Sequence, residues 1–269
     1  MDKKVIDNIV WYIPFRKLRD AVREYLNEHV KLLGENIILL NNLPDKNYKY
    51  DLYTCSLKIF ELLHEEDTKE SIKYIRENGS NAIMFTDRME MFKFVFEEHV
   101  KTNDYKDKLF LEFGVFEGWS INFCSSLIPE AKFYGFDSFE GLPETWHAEC
   151  FKGKFDVKGK LPKVNKNVSL IKGYFNETLP KFLEEHKEKA AFIHIDCDLY
   201  SSTKTVFDNI YDRIVPNTVI QFDKYYNYPG WRNHEFKAFQ EFCKKYNVEY
   251  EYIGISLYQV AVVIKSIKN

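Results

Sequence analysis

The chain has 269 residues, of which 45% are hydrophobic and 17% aromatic, and its formal net charge at pH 7 is −3. This length allows one large domain, or one domain with an extension, to bury a sizeable core, and the composition excludes a disordered chain. The small negative charge gives no reason to expect a nucleic acid or an anionic membrane as partner. No apolar run approaches the ~20 residues of a membrane span.

No signal peptide is predicted, because charges at Arg16, Lys17, Arg19 and Asp20 interrupt any apolar core near the start. The cysteines are odd in number, scattered and without the spacing of metal ligands, so we expect mostly buried thiols. They are Cys55, Cys124, Cys150, Cys197 and Cys243. These features predict a cytoplasmic protein.

The N-terminal third of the chain has mostly helical patterns. Cys55–His64 and Ser71–Arg76 are predicted helices, whereas the polar stretch Leu40–Tyr53 predicts a linker. We interpret residues 1–85 as an N-terminal helical extension that makes oligomer or substrate contacts. Residues 86–269 then form the main domain.

A strand, a turn, a helix and a second strand follow one another after residue 108. Leu109–Val115 is a short apolar run typical of a strand buried on both faces, and Gly114 and Gly118 form the turn after it. Trp119–Leu127 is apolar at helical spacing, and the next apolar run ends on Asp137. Glycine lets a ligand approach the backbone, the helix N-terminus offers free N–H groups, and the acid can bind ribose hydroxyls. The pattern predicts a nucleotide-binding βαβ unit.

Strands and helices alternate through the rest of the chain. Three further strands are predicted, at Val168–Lys172, Ala191–Ile195 and Thr218–Phe222. Two closing strands, Glu249–Ile253 and Tyr258–Ile264, joined by a short turn containing Gly254, form an antiparallel edge. Alternation with short connections predicts a Rossmann-like α/β fold, with a mostly parallel seven-stranded sheet covered by helices on both faces.

Acidic side chains stand at the carboxyl ends of the predicted strands. Asp137 follows the second strand, Asp196 and Asp198 the fourth, and Asp223 the fifth. Ligands of open α/β sheets bind beyond this edge, so we expect these carboxylates in one cleft. Carboxylates this close repel one another unless a cation, a proton or a lysine lies between them. The long aperiodic segment Glu140–Lys166 is interpreted as a functional loop.

Four segments resemble a known family of enzymes. Glu112-x-Gly114-x-x-x-Gly118 is similar to motif I of class I S-adenosylmethionine (SAM) methyltransferases. FIHIDCDLYSST (Phe192–Thr203) resembles the D-x-D-x-Y-x-x-T signature of macrocin O-methyltransferases, which methylate sugar hydroxyls with SAM. Phe136–Pro143 and Gly173–Pro180 resemble the second- and third-strand segments of the same family. The resemblance covers about residues 85–265.

This resemblance implies a class I methyltransferase fold and SAM as cofactor. The implied cofactor-binding residues are Glu112, Phe113, Gly114, Gly118, Ser120, Asp137, Ser138, Gly173, Phe175 and Asp196. Asp196 and Asp223 are the implied ligands of Mg²⁺, which prefers oxygen donors, and Asp198 is the implied general base. Lys224 departs from the family, which usually has a second acid there. Either water completes the coordination of the metal, or Lys224 replaces its charge and holds the substrate oxygen, which makes Lys224 a catalytic candidate.

The implied substrate contacts are Tyr200, Tyr228, Trp231 and His234, the last three in a segment that resembles a subgroup of the family. A rigid turn that opens a helix accounts for this segment equally well. His194 shares a strand face with Asp196 and is interpreted as a core histidine. IVWYIPFRKLRD (Ile9–Asp20) resembles segments of bacterial cell-surface polysaccharide enzymes.

The predicted activity is methyl transfer from SAM to a hydroxyl of a sugar, nucleotide-linked or destined for capsule or lipopolysaccharide, by a homo-oligomer that is a dimer or larger. One alternative is a metal-free O-methyltransferase of a small natural product that acts through Asp198 and Lys224. A nucleotide-dependent oxidoreductase is a second, against which the missing G-x-G-x-x-G counts. A non-catalytic protein of the same fold is a third, against which the retained acids count.

Overall fold

The computed structural model describes residues 46–146 and 150–268, with side chains from residue 61 onward. Residues 64–269 form one compact unit. Residues 1–45 of the predicted extension lie outside the described residues, so the predictions for that segment stay predictions. The first described element is helix α1, Lys46–Asn78.

Helix α1 is continuous where the sequence pattern predicted a linker and two separate helices. Lys46–Asn78 contains neither proline nor glycine, so no residue in it interrupts the backbone hydrogen bonds of a helix. The linker prediction was therefore wrong from Lys46 onward. The C-terminal part of α1 packs on the main domain through Tyr74, whose ring meets the rings of Trp231, Phe236 and Tyr252.

An eight-stranded sheet forms the centre of the molecule, in the order β1-β7-β8-β6-β5-β2-β3-β4. The strands are β1 Ile83–Met84, β2 Leu109–Phe113, β3 Phe133–Asp137, β4 Val168–Lys172, β5 Ala190–Ile195, β6 Val219–Phe222, β7 Glu249–Ile255 and β8 Val260–Ser266. Only β8 runs against the others. The mostly parallel α/β fold with an antiparallel closing pair is confirmed, and the two-residue β1 adds an eighth strand at the edge.

Helices cover both faces of the sheet, as predicted. They are α2 Arg88–Phe94, which continues into a π-helical turn Val95–Val100, α3 Trp119–Leu127, α4 Phe175–Glu185, α5 Tyr200–Ile210 and α6 Glu235–Tyr246. Apolar residues of α4, α5 and α6 pack into one buried cluster, and those of α2 and α3 into another. Successive residues of β2 alternate between the clusters, with Leu111 in the first and Phe110 in the second, as a strand requires.

Gly254 corrects the predicted connection between the last two strands. It lies inside β7, in register with Ile83 of β1, and residues 256–259 form the turn. A side chain on Gly254 would meet Met91 at 3.1 Å, so close packing, and not a turn, accounts for this glycine.

Two polar side chains lie in the middle of the most buried strands. Every residue of β2 and β5 is buried, and Glu112 and His194 are register partners on adjacent strands. Glu112 Oε2 lies 2.9 Å from His194 Nδ1, and Ser120 Oγ donates to Glu112 Oε1 at 2.9 Å. Each polar group compensates the other for the water it loses on burial.

The parallel register brings several chain segments to one edge of the sheet. Phe113 of β2 pairs with Ile195 of β5, which pairs with Phe222 of β6. Residues immediately after these three positions therefore leave the sheet side by side. β2 lies between β5 and β3, so the connections on its two sides run in opposite directions, and ligands of α/β sheets bind at such switch points.

Candidate active site

A cavity of about 600 Å³ opens at this edge of the sheet, beyond the carboxyl ends of the parallel strands. Its size is that of an ordinary small-molecule pocket. The long loop after β3 contributes Gly141, Leu142, Pro143, Trp146, Lys152 and Phe155 to the wall. The remaining wall residues are Gly114, Phe116, Asp137, Ser138, Gly173, Tyr174, Phe175, Asn176, Asp196, Cys197, Asp198, Ser201, Ser202, Thr205 and Lys224.

Asp137 organises the turn after β2. Its Oδ2 accepts hydrogen bonds from the backbone N–H groups of Val115 and Phe116, each at 2.8 Å. Its Oδ1 accepts from Phe139 N–H at 2.7 Å. Three amide donors fix the carboxylate and the loop together, while the side chain still lines the cavity.

Gly114 is required by the fold as well as by the cavity. Its φ is +92°, and a Cβ placed there would lie 1.8 Å from the carbonyl oxygen of Asp196. No side chain fits in that space. The end of β2 therefore touches the segment that carries Asp196 and Asp198.

Six of the ten residues predicted to bind the cofactor line the cavity: Gly114, Asp137, Ser138, Gly173, Phe175 and Asp196. The other four, Glu112, Phe113, Gly118 and Ser120, are not on the wall. Glu112 lies beneath the glycine turn, where it is bonded to Ser120 and His194. Gly118 precedes α3 with a φ of +77°, facing Pro162 of the long loop.

Three of the predicted carboxylates, Asp196, Asp198 and Asp223, lie close together at the ends of β5 and β6. Asp196 and Asp198 both line the cavity, and Asp223 lies behind them, 2% exposed. His194, Asp196 and Asp223 each offer one possible ligand atom, and these three atoms lie within 4.8 Å of one another. Burial first, and then the charge of Asp223, raise the pKa of Asp196 well above its ordinary value.

Three donors hold Asp223. Arg88 Nη1 donates to its Oδ1 at 3.0 Å, Gln259 Nε2 donates to the same oxygen at 3.2 Å, and Lys224 Nζ forms a short hydrogen bond with Oδ2. Burial favours a higher pKa for Asp223, but the charge and hydrogen bond of Lys224, with the charges of His194 and Arg88, bring it below the ordinary value. Asp223 is thus an ionised partner of two cations.

Lys224 carries its charge into the cavity. Burial opposes the charged form, yet Asp223, Asp196 and Asp198 together raise the pKa of Lys224 above its ordinary value. Its ammonium lies 5.7 Å from the centre of the Tyr258 ring. The side chain lines the cavity beside the carboxylates, where it can face a bound oxygen atom.

Asp198 has an unusual backbone. Its φ is +59°, a left-handed conformation that costs a non-glycine residue energy, and its N–H donates to Glu235 Oε1 at 3.1 Å. Burial raises the pKa of the Asp198 carboxyl to about 6, although the charge of Lys224 acts to lower it. A carboxyl with this pKa can take up and release a proton near neutral pH.

Glu235 is the residue that the sequence analysis missed as a supporting group. It is fully buried at the start of α6, and its Oε2 accepts from the backbone N–H of Lys224 at 3.1 Å. One side chain therefore fixes the backbone at both predicted catalytic residues, Asp198 and Lys224. An acid in the first turn of a helix is common, so the sequence around Glu235 did not indicate this role.

None of the four predicted substrate residues is on the wall of the cavity. Trp231 is fully buried in the core and does not reach the cavity. Tyr200 donates to Glu241 at 2.7 Å on the outer side of α5. Tyr228 and His234 are not on the wall, but both rings pack against Trp146, at 5.6 Å and 5.9 Å between centroids. They support a wall residue.

Other residues of the site lacked a local signal. Trp146 and Lys152 lie in an aperiodic loop, whose sequence does not indicate which side chains face inward. Arg88 follows the N-cap Asp87 of α2 and meets Asp223, 135 positions later in the chain. Ser201, Ser202 and Thr205 stand on α5 with the spacing of ordinary polar helix residues.

Part of this chain matches a known family of domains. A family model described as a methyltransferase domain matches residues 111–225, which run from β2 to just beyond β6. The O-methyltransferase NovP is 19% identical, with a TM-score of 0.53, over 66% of this chain and 79% of its own. The calicheamicin methyltransferase CalS11 is 17% identical, with a TM-score of 0.51, over 88% of this chain and 92% of its own. No curated protein matches the chain.

The protein carries a methyltransferase domain and is an enzyme. Its fold is the Rossmann-like α/β fold that its O-methyltransferase neighbours share. None of the helices in residues 46–146 and 150–268 has the length and hydrophobicity needed to cross a membrane.

Proposed function

We propose that the enzyme transfers a methyl group from SAM to a hydroxyl of a sugar, with Asp198 as the general base. The observation that carries this proposal is the pairing of two side chains on the cavity wall of a methyltransferase domain. Asp198 is a buried carboxyl with a pKa of about 6, and Lys224 is a cation beside it.

The described residues fit SAM at the end of the cavity near β2, β3 and β4. Gly114 and Gly173 leave the strand ends without side chains, Asp137 offers a carboxylate, and Phe175 offers an aromatic face. When bound, SAM supplies a methyl group made electrophilic by its sulfonium. Glu112 contributes through Ser120 and the turn above it, because its own carboxylate is engaged.

The acceptor end of the cavity has the chemistry that a hydroxyl nucleophile requires. A sugar hydroxyl is a weak nucleophile, so removal of its proton must accompany attack. In this proposal Asp198 takes that proton. The ammonium of Lys224 favours negative charge on the same oxygen.

Polar residues around Asp198 support a sugar as acceptor. Ser201, Ser202 and Thr205 supply hydroxyl groups along α5, and Trp146, on the loop after β3, supplies a flat surface. A ring rich in hydroxyls matches this combination of hydrogen-bonding groups and an aromatic face. Lys152 on the loop offers a positive charge to a phosphate of a nucleotide-linked sugar.

Calorimetric titration of S-adenosylhomocysteine (SAH), followed by a screen of nucleotide sugars with SAM, tests this function. We expect SAH to bind wild type, and Asp137→Ala to weaken binding at least ~10-fold, because the turn after β2 loses two hydrogen bonds and the segment after β3 loses one. Asp156→Ala, an exposed acid of the long loop, is the control. A protein that binds NAD(P) and not SAH would instead support the oxidoreductase.

A small natural product without a sugar is the second acceptor class. Phe116, Phe155 and Tyr174 give the cavity mouth an apolar rim that suits such a molecule. Methylation of phenols in the same screen, with no turnover of sugars, would favour it. In either case we expect a homo-oligomeric enzyme of the cytoplasm, which light scattering and cell fractionation would test.

A further inference from the structure

We propose that Lys224, supported by Arg88, takes the place of a divalent cation in this active site, and that the enzyme needs no metal ion. The inference rests on the proposed methyl transfer to a hydroxyl. It goes further, because it names Lys224 as the group that holds the acceptor oxygen and excludes a divalent metal ion from that role.

The carboxylate cluster has some features of a metal-binding site. His194, Asp196 and Asp223 offer ligand atoms within 4.8 Å of one another, and among the described residues no group bonds the buried Nε2 of His194. Mg²⁺, however, requires near-octahedral coordination by oxygen, and an imidazole nitrogen is a poor ligand for it.

The contacts of Asp223 decide against a metal. Its two oxygens already accept hydrogen bonds from Arg88, Gln259 and Lys224. A metal bound there would have to displace the ammonium of Lys224 or lie directly beside it. Both alternatives cost energy, because the site is buried and repulsion between like charges is poorly screened there. The residues present do not fit Mg²⁺.

The positive charge that the cluster requires is supplied by side chains. Asp196, Asp198 and Asp223 stand together with Lys224 and Arg88, and Lys224 is hydrogen-bonded to one of the three. Arg88 is itself held from the other side, since its guanidinium lies 4.8 Å from the centre of the Trp119 ring. The two cations reach Asp223 from different elements, α2 and the segment after β6.

This arrangement completes the transfer reaction without a metal. The acceptor O–H bond breaks and its proton passes to Asp198, while the oxygen, held by Lys224, forms a bond to the methyl carbon. The methyl–sulfur bond breaks with its electron pair on sulfur. The products are the methyl ether, SAH and a protonated Asp198 that releases its proton to solvent.

Divalent-cation binding by the full-length protein tests the inference without any knowledge of the acceptor. Protein stripped with EDTA is titrated with MgCl₂ and MnCl₂ by calorimetry, with and without SAH. We expect no saturable binding to wild type. Lys224→Asp, which removes the ammonium and adds a carboxylate, should gain one divalent site. Lys152→Asp makes the same charge change on the loop of the cavity and should gain none.

Two results would overturn the inference. The first is one-site binding of either cation to wild type that disappears in Asp223→Asn. The second is the absence of metal binding in both Lys224→Asp and the double variant Arg88→Ala/Lys224→Asp, while both variants still bind SAH. Removal of the positively charged side chains would then not have uncovered a metal site. If wild type does not bind SAH, the result contradicts the proposed function instead. Failure of the metal inference and failure of the proposed function are therefore distinguishable.

Discussion

Asp198 unites three properties at a single position: a left-handed backbone, a raised carboxyl pKa and a place on the cavity wall. We expect Asp198→Asn to lower turnover ~10²–10⁴-fold, the usual contribution of a general base. Its affinity for SAH should stay within about twofold of wild type. Kinetics and calorimetry on the same preparation measure both. An equal loss in the two would indicate a distorted site, and Asp208→Asn, an exposed acid of α5, is the control.

The pH dependence follows from the same side chain. Asp198 acts as a base only when ionised, so kcat/KM should rise as pH increases through a value of about 6 and then level off. The charges of Lys224 and Asp223 act on Asp198, and the buried carboxyls of Asp196 and Glu235 lie near it, so the midpoint reflects this whole group of side chains and not Asp198 alone. A pH–rate profile with a sugar acceptor measures it. A flat profile between about pH 4 and about pH 8, which is about two units to either side of the expected midpoint, would contradict the role of Asp198.

Glu235 is expected to act through the backbone that it holds. In Glu235→Gln one side-chain oxygen becomes an NH₂ group, so the N–H of either Asp198 or Lys224 loses its acceptor. An unsatisfied buried donor costs about 1–3 kcal/mol, so turnover should fall about 10- to 100-fold with SAH affinity kept. Glu241→Gln changes an exposed acid of the same helix and should match wild type. Equal turnover of the two variants would show that Glu235 does not support the catalytic residues.

At the scale of elements, the contact between the end of β2 and the segment after β5 is open to a direct test. Gly153→Ala places a side chain at a φ of +84° in open space, so it should cost only the about 1–3 kcal/mol of a strained backbone. Gly114→Ala adds an overlap with the Asp196 carbonyl at 1.8 Å and should cost clearly more. Chemical unfolding compares the two. Similar losses would mean that the Gly114 contact relaxes easily.

The sequence located the strands well because buried parallel strands are short apolar runs between polar turns. It placed the acids correctly at the strand ends, since the parallel register carries that information. It misread Gly254, because a turn and a close contact require the same residue, and only Met91, distant in sequence, distinguishes them. Trp231 was expected at the cavity and is in the core, because a lone aromatic side chain in a turn does not show which way it points.

At the scale of the whole molecule, the cavity is built by segments that are far apart in sequence. Arg88 precedes the first long strand, whereas Lys224 follows the sixth strand, and they meet at Asp223. No local pattern predicts such a meeting. Helix α1 adds a further long-range contact, since Thr68 donates to Asn227 Oδ1 at 3.0 Å in the segment before α6.

Because the cavity draws on so many segments, a ligand in it should stabilise the fold as a whole. SAH at ~100 times its dissociation constant should add about 2.7 kcal/mol to the free energy of unfolding. The unfolding midpoint should therefore rise in a thermal scan with SAH and stay unchanged with NADPH. A shift with NADPH alone would contradict the choice of cofactor.

The two hydrogen bonds that the backbone N–H groups of Val115 and Phe116 donate to Asp137 have a consequence for association kinetics. They hold the turn after β2 in shape before any cofactor arrives, so no ordering step has to precede or follow the encounter. In a stopped-flow experiment the observed rate of SAH binding should then increase in direct proportion to SAH concentration. A turn that had to fold around its ligand would give a rate that reaches a plateau.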